Sequence, residues 1–336
     1  MTDTNCSVPS SGACPPRFAG VDVAKEKLDL AVNDGTSHSA TEAFANDAAG
    51  IAKLVERLKG VGVKCVVVES TGGIERPLLD ALIDADLPAA LVHPGRVRNL
   101  AKGLGVRVKT DRVDANVLAH FGRLAEPRLA EKRSENRVEL EALVTCRRQL
   151  VATRAQQSNR LESTASKAAT QVLKKVIESL DHQIAKLEKK IRALIDSDEQ
   201  FKDLDRRLRE VPGVGPALSS TLVAELRELG EVERREIGAL VGVVPYNVDS
   251  GRFEGKRAVA GGRVDVRNTL YMATLSTLRC NPVIRSFVRR LQLAGKSFKV
   301  RMVAAMRKLL NLLNAMARDG LRWSELSVVK NLATNT

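Results

Sequence analysis

Four acidic residues and one serine carry the spacing that could do chemistry. Asp22 stands inside the apolar run R-F-A-G-V-D-V, and Glu69 closes K-C-V-V-V-E. Asp111 and Asp114 follow in K-T-D-R-V-D-A, at i and i+3 of what reads as a helix start, which turns both side chains to one face. A carboxylate attached to a core strand is expensive to bury without a partner. Four of them close together cannot all stay ionised without a cation. A hard divalent ion such as Mg²⁺, bound through carboxylates, water and phosphate, meets that need. A pair of such ions clamps both sides of a phosphate during in-line displacement, so the acids point to phosphodiester chemistry. Each acid also has a plainer reading. Asp111 would serve as a helix N-cap, Asp114 as a partner of Arg107 or Lys109, and Asp22 and Glu69 as strand ends facing solvent. The catalytic reading requires the strand of Asp22 to lie beside that of Glu69.

The serine is Ser250, in V-P-Y-N-V-D-S-G-R-F-E-G-K-R, with Arg252, Lys256 and Arg257 close behind it. A serine on a polar loop among cations is fitted to meet a phosphate, as a hydrogen-bond donor or as a nucleophile. D-S-G by itself is more commonly a turn. Upstream, V-P-G-V-G-P-A-L resembles the hairpin of a helix-hairpin-helix motif. There Gly213 and Gly215 would let backbone N–H groups approach a phosphate at a helix N-terminus. An ordinary Gly/Pro turn between helices is the alternative.

Residues 17–126 alternate strand and helix patterns. R-F-A-G-V-D-V and K-L-D-L-A-V read as two strands joined by a tight turn, followed by a helix over Ala48–Leu58. K-C-V-V-V-E is short, β-branched and apolar, as a buried central strand should be. A helix over roughly Ile74–Ala85, a strand over Ala89–Val92 and another helix complete an α/β domain with a mixed sheet. Residues 135–200 contain neither Gly nor Pro and should form long helices. Within them Ile177, Leu180, Ile184, Leu187, Ile191 and Leu194 keep a heptad spacing, with Ile and Leu alternating. That pattern favours a parallel two-stranded coiled coil, against the alternative of a long helix packing on its own domain. A mostly α region follows and closes with an amphipathic run over Val300–Ala317. The expected divisions are a tail at 1–16, the α/β domain at 17–126, a coiled-coil segment at 127–200, a serine-bearing domain at 201–322 and a tail at 323–336.

With 336 residues, 44% of them hydrophobic, the chain has enough material for two or three domains. No apolar run reaches transmembrane length, and Met1–Pro16 lacks the apolar core of a signal peptide. The five cysteines show no C-x-x-C spacing, so they read as small apolar residues in a reducing cytoplasm. Charge is concentrated: from Gly251 onward there are 17 Lys and Arg against four acids, which supplies +13 of the net +14. Such a region is an electrostatic footprint for nucleic acid. Candidate contacts are Lys109, Gly213, Gly215, Arg252, Lys256, Arg257, Arg263, Arg267, Lys296 and Lys299. Aromatics are only 3%, too few for base-stacking platforms to dominate.

Taken together, G-V-D-V-A-K-E-K-L-D, V-V-V-E-S-T-G-G, K-T-D-R-V-D-A, V-P-G-V-G-P, P-Y-N-V-D-S-G, G-G-R-V-D-V-R-N-T-L-Y-M-A and A-A-M-R-K-L-L-N resemble the Piv/MooV family of insertion-sequence transposases and DNA invertases. These are DEDD recombinases with a RuvC-like (RNase H-like) domain. The resemblance covers most of residues 18–320 in the family's order. It implies that Asp22, Glu69, Asp111 and Asp114 hold the catalytic Mg²⁺, as two ions, and that Ser250 attacks a DNA phosphate to form a covalent phosphoserine. It also implies a structured non-coding bridge RNA that pairs with donor and target DNA. Further, it implies a homo-oligomer, dimer or tetramer, in which one protomer's acids work with another's serine. The family's usual Asn before the Pro that follows the last strand is His93 here. The expected protein is thus a cytoplasmic, nucleoid-associated recombinase of a mobile element acting on double-stranded DNA, with no membrane partner. The competing readings are a RuvC-like junction nuclease that uses water, and a non-catalytic nucleic-acid-binding coiled-coil protein.

Overall fold

The computed structural model describes residues 16–33, 40–106, 111–246, 249–250, 253–254 and 258–325. For residues 111, 112, 249, 250, 253 and 254 it describes the backbone alone. Lys109, Arg252, Lys256 and Arg257 lie outside the described residues, as does most of each expected tail. The chain divides into two compact units, Met1–Arg133 and Ser134–Thr336. Of the coiled-coil segment expected at 127–200, residues 134–200 fall in the second.

The first unit runs β1 (Arg17–Val23), β2 (Lys27–Asn33), β3 (Thr41–Ala45), α1 (Ala48–Val61), β4 (Val63–Glu69), α2 (Arg76–Asp84), β5 (Ala89–Val92), α3 (Pro94–Gly103) and α4 (Asp111–Ala125). The five strands form one sheet in the order β3-β2-β1-β4-β5. β1, β4 and β5 are parallel neighbours, while β2 and β3 add antiparallel at the other edge. Alternation along the strands divides the core into two layers. Ala19, Val21, Leu28, Leu30, Val66 and Val68 face α1 and α2, meeting Ile51, Leu54, Leu58, Leu78 and Leu82. Phe18, Cys65, Val67, Ala90 and Val92 face α3 and α4, meeting Val97, Val117, Leu118 and Phe121. Local chemistry sets the helix ends: Asp47 caps α1 by accepting from the Gly50 N–H at 2.7 Å, and Gly62 closes it with a left-handed φ of 68°.

The second unit comprises α5 (Glu135–Ser163), α6 (Lys167–Ser197), α7 (Glu199–Arg209), α8 (Pro216–Glu225), α9 (Arg234–Val241), β6 (Pro245–Tyr246), β7 (Asp249–Ser250), β8 (Phe253–Glu254), β9 (Ala258–Val259), α10 (Val264–Cys280), α11 (Pro282–Leu293) and α12 (Phe298–Asp319). α5 and α6 form an antiparallel hairpin, laced by Arg147–Glu188 at 2.6 Å and Arg154–Asp181 at 2.7 Å. The heptad face of α6 therefore meets the preceding helix of its own chain. A turn of only Thr164–Ser166 keeps that helix at high local concentration, so it competes effectively for the apolar stripe. Ile191 and Ile195 bury into the core of the unit beside Leu140 and Val144. Toward the hairpin tip Ile177, Leu180, Ile184 and Leu187 stay half-buried. Buried Leu218, Leu222, Leu270, Ile284, Leu309 and Leu313 join α8, α10, α11 and α12 into the rest of that core.

Candidate active site

The site begins with a glycine. Gly20 on β1 lies so close to α4 that an added Cβ would meet the Ala115 carbonyl oxygen at 2.2 Å and the Ala119 nitrogen at 2.4 Å. One strand step back, the Cβ missing from Gly122 would meet Val67 at 2.9 Å and Phe18 at 3.2 Å. Helix α4 thus runs along the sheet opposite in direction to β1, with its first turn at the end of β1 that carries Asp22. Two strand residues from Gly20 to Asp22 advance about 7 Å, and four helical residues from Ala115 back to Asp111 advance about 6 Å, so the levels match.

Val21 is paired with Val68, which makes Asp22 and Glu69 the next residues along two adjacent parallel strands. Phe18, Gly20 and Asp22 alternate onto the α4 face of β1, and Cys65, Val67 and Glu69 onto the same face of β4. Asp22, Glu69 and Asp114 are all half-buried. Three of the four predicted acids therefore come to one end and one face of the sheet, and the fourth, Asp111, is the first residue of α4. The donors on offer are carboxylate oxygens, which suit a hard divalent cation. Among the described residues, no three His, Cys, Asp or Glu side chains are grouped so as to hold a metal ion.

Two further acids belong to this neighbourhood. Asp22 is the antiparallel partner of Asp29 on β2, so the two side chains share a face, and Asp29 is only 6% exposed. Lys27, two residues back on that face, reaches Asp29 at 3.1 Å and supplies a counter-charge. The signal was available in K-L-D-L-A-V, whose charged residues alternate with leucines that must face the core. The second is Glu75, which is 1% exposed and holds the turn after Glu69. By contrast, burial pushes the Cys65 thiol up to about 11, in keeping with its reading as an apolar residue. His93 caps α3, its Nδ1 accepting from the Gly95 N–H at 3.0 Å, the capping work an Asn oxygen would do in its place.

In the second unit, Ser250 ends β7 and pairs with Phe253 on β8. Of the predicted nucleic-acid contacts there, Arg263 is engaged by Glu228 through two hydrogen bonds of 2.6 and 2.7 Å. Burial works to raise the Glu228 carboxyl, but the guanidinium wins and holds it below the usual range. Arg267 points its Nη1 at the carbonyls of Val241 and Gly242, both near 3.5 Å, and of Gly261 at 2.5 Å. Gly213, with φ at +92°, presses on α10, where an added Cβ would lie 2.7 Å from Thr277 Cα. Gly215 is the N-cap of α8 with open space around it. Lys296 and Lys299 are exposed. Around them, Pro282–Asp319 carries nine Lys and Arg against the single acid Asp319. A groove of about 450 Å³ there is lined by Arg234, Arg307 and Lys308, with Lys308 Nζ stacked 4.5 Å above the Phe287 ring. Periodicity could have found Arg307 and Lys308 on α12, but not their company with Arg234.

Comparison with known proteins now decides the family. The DEDD transposase family model of IS110 matches residues 19–169, and a second, for transposases of the IS116/IS110/IS902 family, matches residues 205–289. The chain belongs to the IS110 family of transposases. The pilin gene-inverting protein of Moraxella lacunata is 27% identical over 315 residues, covering 90% of this chain and 96% of its own. The transposase of insertion element IS1111A from Coxiella burnetii is 23% identical over 297 residues, 78% of each chain. Among solved structures, Thermus thermophilus RuvC bound to a Holliday junction matches with a TM-score of 0.26 and 16% identity, over 34% of this chain and 99% of that one. The first model of this IS110-family transposase spans Asp22, Glu69, Asp111 and Asp114, and the second spans Ser250 and the α7–α8 turn. Among the described residues no helix is long and apolar enough to cross a membrane.

Proposed function

We propose that this transposase cuts and rejoins double-stranded DNA of a mobile element, with Asp22, Glu69, Asp111 and Asp114 as the metal-holding acids and Ser250 as the nucleophile. The observation that carries the reading is the alignment of Asp22 with Glu69 at the ends of adjacent parallel strands, with the first turn of α4 at the same end. When bound, Mg²⁺ would supply charge stabilisation to a phosphate whose ester bonds are exchanging. The four acids would hold that cation through their carboxylate oxygens, and their remaining negative charge would repel any phosphate not neutralised by it. The Ser250 oxygen would form a bond to phosphorus as one sugar oxygen leaves and takes up a proton, giving a phosphoserine linkage. Attack by a sugar hydroxyl of the partner strand would reverse this, restoring the phosphodiester and the seryl hydroxyl with no net loss of phosphoester bonds. The basic surface of α11 and α12 would hold the rest of the DNA backbone or a guiding bridge RNA. The half-buried heptad face toward the hairpin tip is compatible with assembly into a dimer or tetramer.

A strand-cleavage and rejoining assay on the element's ends tests this. Asp114→Asn should lower cleavage by at least about 100-fold, roughly 2.7 kcal/mol of barrier, with DNA binding largely kept. Ser250→Ala should abolish the covalent protein–DNA adduct together with rejoining. Cleavage by Ser250→Ala at the normal rate would favour a junction nuclease that uses water. Full cleavage by Asp114→Asn would remove that acid from the catalytic set, and DNA binding without cleavage by the wild type would favour a non-catalytic binding protein.

A further inference from the structure

The turn that follows Glu69 is tied together by one carboxylate. Oxygen Oε2 of Glu75 accepts three hydrogen bonds, from the Thr71 N–H at 3.2 Å, the Thr71 hydroxyl at 2.9 Å and the Gly73 N–H at 2.8 Å. Glu75 occupies the N-cap position of α2, where an acid ordinarily bonds the first amides of its own helix, yet its side chain makes no cap bond. It turns backward instead and closes the loop Ser70–Ile74 on itself. The loop needs two glycines for this, Gly72 at φ +82° and Gly73 at +116°. No atom lies within 4 Å of a Cβ built on either, so backbone conformation and not crowding selects glycine.

A carboxylate that is 1% exposed carries a large desolvation cost. Here burial does push its pKa up, but its own N–H, those of Gly73 and Thr71, and the Thr71 hydroxyl outweigh it and hold the group below the ordinary glutamate range. Glu75 therefore stays ionised and the knot stays tied at neutral pH. On the other side of Glu69 the β4–β5 ladder is complete: Glu69 is paired with Val92, and the Ser70 N–H donates to the Val92 carbonyl at 2.9 Å. Glu69 is thus bracketed by a strand ladder and by the Glu75 knot. Neither bond set touches its carboxylate, but together they fix the backbone from which it projects.

We infer that Glu75 is a positioning residue for Glu69, acting through the Thr71–Gly73 turn to hold that carboxylate beside Asp22. The inference rests on the proposed function, since it assigns Glu69 to the reacting end of the sheet. It is tested on the full chain with Glu75→Gln, which keeps size and removes charge. Hydrogen exchange at the Thr71 and Gly73 amides should accelerate while amides of β1 and β4 do not. Single-turnover DNA cleavage should fall about 10- to 100-fold, the range typical when an outer partner of an active-site ligand is removed. The Kd for DNA should hold, and the melting temperature should fall by no more than a few degrees, about what the loss of one local hydrogen-bond set costs. Thr71→Val, which deletes one of the three bonds, should cost about 2- to 10-fold, and Thr71→Ser should restore the rate. If Glu75→Gln does not fold, the Thr71 pair carries the same comparison. Unchanged exchange at the two amides, or cleavage at the wild-type rate, overturns the inference. So does a loss of cleavage that only tracks a fall in melting temperature and DNA binding. A wild-type chain that cleaves no DNA removes both the inference and the proposed function, whereas an active wild type with an equally active Glu75→Gln removes the inference alone.

Discussion

Gly20 of β1 and Ala115 of α4 approach so closely that a methyl group on the glycine would sit 2.2 Å from the alanine carbonyl oxygen. This contact sets the height of α4 on the sheet and with it the level at which Asp111 and Asp114 stand relative to Asp22. Gly20→Ala must push the helix away or shift it, at a cost of about 1–3 kcal/mol for overpacking. Urea unfolding should register that loss, and DNA cleavage should fall further than stability alone explains. An unchanged midpoint would mean that the helix is free to move.

The Glu75 knot makes a pH prediction. Its folded pKa lies below the unfolded value of about 4.3, so its contribution is fully present above that value and is lost as pH falls through the folded pKa. Exchange protection of the Thr71 and Gly73 amides, corrected for intrinsic rates, should be flat from neutrality to about pH 5 and decline only in stronger acid. In Glu75→Gln the acid-dependent decline should be missing, which amide exchange followed by NMR or mass spectrometry would read.

Arginines in the basic second unit should separate into two kinds. Arg263 is spent on Glu228, so Arg263→Ala should destabilise the fold by about 1–3 kcal/mol through the carboxylate it leaves unpaired. Lys299 is exposed, and Lys299→Ala should leave stability within about 0.5 kcal/mol while reducing the salt slope of DNA binding by about one. Denaturation curves beside salt titrations of binding check both, and the opposite pattern would reverse the assignment.

His93 holds the start of α3 through Nδ1, so His93→Asn should be close to neutral. His93→Ala should lose about 1 kcal/mol, read as a lower melting temperature of the first unit. Equal stability of the two variants would remove the cap from the account of that helix.

Much of the first unit was legible because its signals are local. The apolar runs at Arg17–Val23, Lys27–Asn33 and Val63–Glu69 admit little besides core strands, and each is one. β3 is not legible in the sequence because Thr41–Ala45 is an edge strand with no buried residue, and half-exposed strands carry little alternation. The heptads of α6 declared an apolar stripe correctly but could not name its partner. Apolar periodicity is indifferent to whether the facing helix belongs to the same chain, and the three-residue turn before Lys167 brought α5 to it. At Gly213 and Arg263 residue type suggests a phosphate contact, yet glycine and arginine serve packing and ion pairing as readily. Only the neighbours Thr277 and Glu228, 64 positions after Gly213 and 35 before Arg263, reveal those uses.

The order of residues alone dictated which side chains are acidic, which strands are buried and that Asp111 and Asp114 share a helical turn, since these follow from side-chain chemistry and from periods of two and 3.6 residues. It could not dictate that Asp22 and Glu69 end adjacent strands at one level, that Asp29 is paired with Asp22, or that Glu75 folds back over the turn behind Glu69. Those depend on which strands pair, in what register, and on how close a helix can come. The parallel pairing of Val21 with Val68 decided the first, the antiparallel register of β1 and β2 the second, and the amides of Thr71 and Gly73 the third, while the missing Cβ at Gly20 set the height of α4.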